Sequence, residues 1–305
     1  CAPYFADGST VTVTALGPLA TVSWSAATED DDAQDVTSYD IEVNGTVVAN
    51  VPASPRSCVL TGLAASTTYT ISVTARDSAG EWSGIIGGDA AALARISTTH
   101  TTPSGAGAGG AGVTIGCVPT TDTDGDRLPD AVENGGGPGG SASKRGTNPS
   151  LAHTDRDGIR DREQALRTTG GLNLPAMGTR PTKKNLILEF DWFDDNAEPA
   201  VCGAHSHRPT AAMISSVTTA YASAPVSNPD GTTGISFLAD YGQGGAFTGG
   251  NLVTDADGVV AGGVDGDFLT IKAANFAANR NGYVHYVLNP HRYNTSSNSS
   301  GQAEI

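Results

Sequence analysis

Apolar and polar residues alternate strictly in several short segments within the first hundred residues of the chain. The alternation is clearest at 11–14, 22–24, 39–43 and 69–75. A period of two puts the apolar side chains of a segment on one face, which predicts half-buried β-strands. Asn44-Gly45 lies between two apolar runs and indicates a type I′ hairpin turn. Short strands at this spacing predict an all-β sandwich over residues 1–100.

The pattern changes beyond residue 180. A continuous apolar run at 185–193 has the β character of a buried strand. Further elements follow it: a helix at 209–223 with Pro209 in its first turn, a strand at 234–240, a helix at 267–279 and a strand at 283–288. Met213, Val217 and Ala220 share a face of the first helix. This order predicts an α/β mixed sheet with right-handed crossovers over residues 180–305.

Two segments separate these regions. Residues 101–121 are rich in Thr, Pro, Gly and Ala, which predicts a flexible linker. Residues 122–179 form a predicted calcium-loop connector that opens with DTDGDRLPDAVE. Carboxylates occupy positions 1, 3, 5, 9 and 12 of this stretch, and Ca²⁺ takes six to eight oxygen ligands from such a loop. The candidate ligands are Asp122, Asp124, Asp126, the backbone carbonyl of Leu128, Asp130 (directly or through water) and Glu133.

A second, weaker copy of the loop reads HTDRDGIRDREQ from His153 onward. Its candidate ligands are Asp155, Asp157, the Ile159 carbonyl, Asp161 and Glu163. Glu163 falls one place early, and Gln164 occupies position 12. The alternative for both loops is a solvated acidic turn. Arg127 replaces the glycine usual at position 6, so we expect the first loop to turn without a positive φ there.

Composition favours a secreted protein. Lys and Arg number 17 against 32 Asp and Glu, and the net charge of −15 argues against nucleic-acid and anionic-membrane partners. No apolar run approaches the roughly 20 residues of a membrane span, and a secreted chain that begins at Cys1 is expected to be processed. The other cysteines are Cys58, Cys117 and Cys202. Two disulfides are expected; we prefer Cys1–Cys58 and Cys117–Cys202 among three connectivities. The alternatives are four unpaired thiols or a lipid-modified Cys1.

Two resemblances to known families cover the first half of the chain. The first hundred residues resemble a fibronectin type III domain, with Trp24 as the core tryptophan and Leu63 and Tyr69 as the leucine and tyrosine-corner pair. That family implies a spacer or adhesion module. The two acidic loops resemble bacterial thrombospondin type 3 calcium-binding repeats, which implies calcium as the bound ion.

The last segment resembles secreted bacterial zinc metalloproteases of the metzincin type. The matching pieces are KKNLILEFDWFDD (183–195), HSHRPTAAM (205–213), APVSNPDGTTGISFLADYG (224–242), KAANF with Arg280, and YVHYVL followed by SSGQAEI. In that family these elements build the upper sheet and its edge strand ahead of the catalytic helix. The chain contains no His-Glu-x-x-His, the motif that supplies two zinc ligands and a general base. We therefore expect an incomplete protease domain that is catalytically inert as given, with zinc only if a further C-terminal segment exists.

The histidines present allow a different zinc hypothesis. His205 and His207 lie on one side of an extended segment, and Asp191, Asp194 and Asp195 are candidate neighbours. The alternative is a polar loop in which His207 or Arg208 pairs with these acids. His285 lies on a predicted strand, where we expect it to be packed.

These features predict a secreted or cell-surface calcium-binding multidomain protein with a structural, adhesive or assembly role. Its expected partners are Ca²⁺, other extracellular proteins and copies of itself, as in a surface filament. The alternative is the N-terminal part of a secreted calcium-dependent zinc endopeptidase whose catalytic helix lies beyond residue 305.

Overall fold

Two compact units, Cys1–Ala152 and His153–Ile305, divide the chain. The structure, a computed structural model, describes residues 2–17, 19–29, 35–80, 83, 94–103, 114–136, 146–166, 168, 170–193, 205–254, 259–260, 267–291 and 302–303. The division at 152/153 falls inside the predicted calcium region, 122–179. The first acidic loop therefore belongs to the first unit and the second loop to the second unit.

The first unit is a β-sandwich. Its strands are β1 Val11–Leu16, β2 Leu19–Trp24, β3 Val36–Val43, β4 Thr46–Pro52, β5 Ser57–Thr61, β6 Thr68–Asp77, β7 Ile96–Thr101 and β8 Gly116–Val118. They form two antiparallel sheets with the orders β1-β2-β5-β8 and β4-β3-β6-β7. The all-β sandwich predicted for the first hundred residues is confirmed.

Alternating apolar residues of both sheets form the core of the sandwich. Trp24 packs edge-on against Tyr39, with ring centroids 5.6 Å apart. The Tyr69 hydroxyl accepts a hydrogen bond from the Ala64 amide at 2.8 Å, which closes the predicted tyrosine corner. Asn44 and Gly45 have φ values of 51° and 79°, as a type I′ turn requires.

The disulfide corrects our preferred cysteine pairing. Cys58 bonds to Cys117, and their Cα atoms lie 5.6 Å apart. The reason is β8, a three-residue strand that pairs with β5 and brings Cys117 opposite Leu60. This strand lies within the segment predicted as a linker, 101–121, of which 104–113 fall outside the described residues. Cys1 and Cys202 also lie outside them.

The second unit contains a mixed sheet. Its strands are β9 Asn185–Phe193, β10 Ser236–Asp240, β11 Leu252–Val253, β12 His285–Asn289 and β13 Gln302–Ala303, and the sheet order is β10-β9-β12-β13. β10, β11 and β12 all pair with β9 in parallel, and β13 pairs with β12 antiparallel. The carboxyl ends of these four parallel strands therefore lie at one end of the sheet, where ligands bind in many open α/β sheets.

The helices are short. They are α1 Asp161–Ala165, α2 Leu174–Met177, α3 Ala211–Ala222 and α4 Asp267–Asn275, with a π-helical turn at Val132–Gly136 and a 3₁₀ turn at Ala278–Arg280. α3 starts later than predicted because Thr210 caps it, its hydroxyl accepting from the Met213 amide at 3.2 Å. Met213 is 60% exposed and no α3 residue is buried, so the expected apolar face does not line the core.

His285, which we expected to be packed on its strand, is exposed. Over the described ranges, no helix has the length and apolar character to cross a membrane.

Candidate metal sites

The first acidic loop folds back on itself through its carboxylates. Asp122 accepts hydrogen bonds from the Gly125 and Arg127 amides, both at 2.9 Å. Asp124 accepts from the Asp126 amide at 3.1 Å, and Asp126 accepts from the Leu128 amide at 2.6 Å. One oxygen from each of the three aspartates lies within 4.8 Å of the others. The loop therefore points three carboxylates at one small volume.

Electrostatic repulsion accompanies this convergence. Burial raises the pKa of Asp124, and the neighbouring charges of Asp122 and Asp130 raise it further. Leu128 and Glu133, the remaining predicted ligands of the loop, are both buried. Opposite charge placed among such carboxylates would favour their ionised forms.

Asp130 has a different role in this geometry. Its carboxylate accepts from the Thr123 amide at 2.8 Å and from the Thr123 hydroxyl at 2.6 Å. These hydrogen bonds lower the pKa of Asp130. They tie position 9 of the loop to position 2, so Asp130 fixes the shape of the loop.

The second loop repeats the same contacts. Asp155 accepts from the Asp157 amide at 3.0 Å, and Asp157 accepts from the Ile159 amide at 2.8 Å. Asp161 accepts from the Thr154 amide at 2.8 Å and from its hydroxyl at 2.5 Å. Positions 2, 3, 5, 7 and 9 are thus connected alike in the two loops, although their sequences differ.

The two loops also share a backbone conformation. It corrects the expectation that the first loop turns without a positive φ at Arg127. Arg127 has a φ of 74° and Gly125 one of 75°, while Arg156 and Gly158 have φ values of 61° and 94°. Both loops turn through left-handed residues at positions 4 and 6, and the glycine occupies position 4 in one and position 6 in the other. Arg127 and Arg156 therefore each adopt a left-handed conformation, which costs an L-residue about 1–2 kcal/mol.

Position 12 differs between the loops. In the second loop, Gln164 is buried and its amide donates to Asp157 at 2.6 Å, with a longer contact to Asp155 at 3.5 Å. Glu163, a ligand predicted from the sequence, accepts a hydrogen bond from the Tyr283 hydroxyl at 3.0 Å. The sequence signal for Gln164 as a candidate ligand is its place at position 12, counted from His153.

Two residues at the start of β9 contact the second loop: Asn185, its first residue, and Lys184, which directly precedes it. Asp157 accepts from the backbone and side-chain amides of Asn185 at 2.9 and 3.2 Å. The Lys184 ammonium donates to the backbone carbonyl of Asp155. Burial, followed by the charge of Asp157, raises the pKa of Asp155 to about 8. The loop is therefore anchored to the sheet, and its paired carboxylates repel each other.

A second kind of site lies at the carboxyl edge of the sheet. His205, His207 and His291 each offer a ring nitrogen within 4.8 Å of the other two. Asp191 does not join them: it is buried and accepts from the Tyr286 hydroxyl at 2.8 Å and the Asn251 amide at 2.6 Å. Asp194 and Asp195 lie outside the described residues.

Among the residues that the structure describes, Arg208 contacts carbonyl oxygens and aromatic rings, and its predicted pairing with Asp194 or Asp195 falls outside them. Its guanidinium donates to the Tyr241 carbonyl at 2.9 Å and the Gly242 carbonyl at 3.1 Å. It also lies over the Trp192 and Tyr241 rings, 5.1 and 5.4 Å from their centroids. The Arg208 guanidinium therefore binds carbonyl oxygens and aromatic faces. Sequence patterns do not identify such groups as its partners.

A buried ion-pair network crosses the second unit, and sequence reasoning missed it. Arg280 donates to Glu189 and Asp240 at 2.6 Å each, and all three side chains are buried. Burial raises the pKa of Glu189 to about 7, Arg280 opposes the shift, and the charges of Asp191 and Asp240 add to it. The available signal was the acidic pair Glu189 and Asp191 inside an apolar strand.

Comparison with known proteins identifies the first unit's fold. Residues 9–87 match the family model of the Fibronectin type III domain, so a domain of this class is confirmed there. The chain is 39% identical over 95 residues to Chitinase D of Niallia circulans; the match covers 31% of this chain and 16% of the chitinase. The chain thus spans about a sixth of the length of that curated relative.

Solved structures give similarities at lower sequence identity. The sixth fibronectin type III domain of human fibronectin type III domain containing protein 3 is 23% identical, with a TM-score of 0.25, and the match covers 34% of this chain and 89% of that domain. The spore cortex lytic enzyme SleM of Clostridium perfringens is 20% identical, with a TM-score of 0.24, over 33% of this chain and 29% of the enzyme.

Proposed function

We propose that the chain is a secreted calcium-binding protein in which each compact unit holds one Ca²⁺ in its acidic loop. The observation that carries this proposal is the repeated geometry of 122–133 and 153–164. Two different sequences adopt the same carboxylate-to-amide contacts and the same left-handed positions. A common ligand is the simplest reason for two such loops to keep one shape.

The donor set suits calcium. The first loop would supply Asp122, Asp124, Asp126, the Leu128 carbonyl and Glu133, with Asp130 orienting the loop or acting through water. All are hard oxygen donors, which Ca²⁺ prefers. The second loop would supply Asp155, Asp157, the Ile159 carbonyl and the side-chain oxygen of Gln164, with Asp161 in the role of Asp130. The second loop has His153 where the first has Asp122, and Gln164 where the first has Glu133. It therefore offers two fewer carboxylates, and we expect weaker binding there.

We assign the protein a structural or assembly role outside the cell. The sandwich is of a class found in extracellular and adhesion or assembly proteins, and the similarity to a chitinase is consistent with an accessory module of a secreted protein. Calcium would hold each acidic loop in one conformation and so stiffen that loop within its own unit. Other extracellular proteins or copies of this chain are the proposed partners.

Calcium titration of the full chain tests this proposal. We expect two equivalents of bound Ca²⁺ by calorimetry at millimolar calcium, the range of roughly 10⁻⁴–10⁻³ M typical of extracellular modules. Asp124→Asn should remove the equivalent of the first unit and Asp155→Asn that of the second. Asp7→Asn changes an aspartate far from both loops in sequence and should leave both. A wild-type chain that binds no calcium, or variants that keep two equivalents, would refute the proposal.

A second candidate is the N-terminal portion of a secreted calcium-dependent zinc endopeptidase. One observation favours it: the sheet ends in an antiparallel edge strand, β13, beside β12, as the resemblance of this segment implies. Peptide hydrolysis by the full product of the encoding gene, abolished by a chelator and restored by zinc with calcium, would support this candidate. A gene product that lacks a His-Glu-x-x-His segment excludes it.

A further inference from the structure

Three histidines form a cluster that the calcium proposal leaves unexplained. The Nε2 atom of His207 and the Nδ1 atom of His291 lie 3.0 Å apart. The ring of His205 lies 4.7 Å from that of His207 and 5.3 Å from that of His291, between centroids. Residues 84 positions apart in sequence thus bring three imidazoles together.

The scaffold holds this cluster from two sides. The Asn289 amide at the end of β12 donates to the His207 carbonyl at 3.2 Å. The next residue, Arg208, is fixed by the carbonyls of Tyr241 and Gly242, which directly follow β10. His291 itself comes two residues after β12. The cluster therefore lies at the carboxyl edge of the parallel strands, and its geometry is set by the sheet.

The chemistry of the donors selects the ion. Calcium binds oxygen, whereas imidazole nitrogen suits Zn²⁺, Cu²⁺ and Ni²⁺. Tetrahedral Zn²⁺ with Zn–N bonds of about 2.0–2.1 Å sets its nitrogen ligands about 3.3 Å apart. His207 and His291 are already close to that separation, and movement of the exposed His205 ring by rotation of its side chain would complete the set.

The geometry points to a three-histidine transition-metal site, with His205, His207 and His291 as ligands of one Zn²⁺. Binding replaces the hydrogen bond between His207 and His291. The ring that donates this bond shifts its proton to its other nitrogen, so each of the three rings can offer a nitrogen lone pair to the metal. His205 is exposed and the other two rings are half-buried. Structural and catalytic Zn²⁺ sites have four ligands, so a fourth donor such as water would complete the coordination.

This site does not depend on the calcium loops. The two proposals use different donor atoms, and calcium in excess would not compete for imidazoles. Zinc binding measured in saturating calcium therefore reports on the histidines alone, and either proposal can fail while the other stands.

Zinc titration of the metal-stripped full chain, held in excess calcium, tests the assignment. We expect one equivalent of Zn²⁺ by calorimetry and by competition with a chromophoric chelator. His207→Gln and His291→Gln should each abolish stoichiometric binding. His285→Gln is the matched control, because this exposed histidine opens the same strand, β12, and should leave the equivalent in place. Chemical unfolding in metal-free buffer checks that all variants fold.

Cobalt gives a readout of the ligands themselves. Co²⁺ in a four-coordinate site absorbs visible light far more strongly than hydrated Co²⁺, so wild type should develop this band and His291→Gln should not. Failure of the wild-type chain to bind zinc would overturn the assignment. So would retention of the zinc equivalent in a folded His291→Gln variant.

Discussion

At the scale of single residues, the threonine at position 2 of each loop decides how firmly position 9 is held. Thr154 and Asp161 are both buried, and the hydroxyl of the threonine donates to the carboxylate at 2.5 Å. The equivalent contact between Thr123 and Asp130 is exposed. The same hydrogen bond therefore stands in two different environments within one chain.

Replacing each of these threonines by valine should destabilise the chain by different amounts in the two loops. Thr154→Val keeps the shape and removes a donor from a buried carboxylate, which costs about 1–3 kcal/mol. Thr123→Val should cost less, because water can replace the lost donor. Urea unfolding of both variants in saturating calcium measures the difference. Equal destabilisation would mean that burial does not govern this contact.

Sequence spacing is informative where the groups concerned lie close together along the chain. Twelve consecutive residues carry the first loop, so its carboxylate spacing was visible in the sequence, and the structure brings Asp122, Asp124 and Asp126 together. His291 was not recognised as a neighbour of His207, because their contact depends on how β12 joins the sheet. The prediction that Arg127 would not have a positive φ was wrong. An arginine adopts the left-handed conformation only where the surrounding contacts impose it, and sequence spacing does not show those contacts.

At the scale of secondary-structure elements, β9 reverses the usual distribution of polarity. Its fully buried face carries Asn185, Ile187, Glu189, Asp191 and Phe193, while the alternate residues are half-buried. Arg280 neutralises part of the buried charge, and Tyr286 and Asn251 donate to Asp191. The apolar run predicted the strand, but the carboxylate partners come from distant segments.

The buried position of Glu189 predicts a pH dependence of stability. Its pKa rises from 4.5 to about 7 in the folded chain, so the folded state retains a proton that the unfolded state releases. This contribution is present below pH 4.5 and is lost as the pH rises to about 7. The loss amounts to about 3 kcal/mol, at 1.36 kcal/mol for each pKa unit.

A comparison of wild type with Glu189→Gln isolates this effect. The variant keeps an oxygen acceptor for Arg280 and cannot titrate. In saturating calcium, the unfolding free energy of wild type relative to the variant should therefore fall between pH 4.5 and 7. Asp191 and Asp240 face the same network and are present in both proteins, so only the group at position 189 differs. A difference that does not change with pH would contradict the assignment.

At the scale of the whole molecule, the chain is two compact units with one acidic loop in each. Alternation predicted the sandwich because each strand's pattern is local. The Cys58–Cys117 bond was not predictable, because β8 has too few residues to show a pattern and its pairing with β5 spans 59 residues of sequence. If calcium orders the loops, its removal should loosen the chain at two separate places and leave the sandwich intact.

Limited trypsin digestion tests this expectation. Arg127, Arg156 and Arg160 are exposed but lie in loops that calcium would hold rigid. A chelator should open cleavage after these residues, while cleavage after Arg76 in β6 should not change. Since the loops belong to different units, Asp124→Asn in calcium should open only the Arg127 site, and Asp155→Asn only the Arg156 and Arg160 sites. Identical peptide maps with and without calcium would show that the acidic loops need no ion to keep their shape.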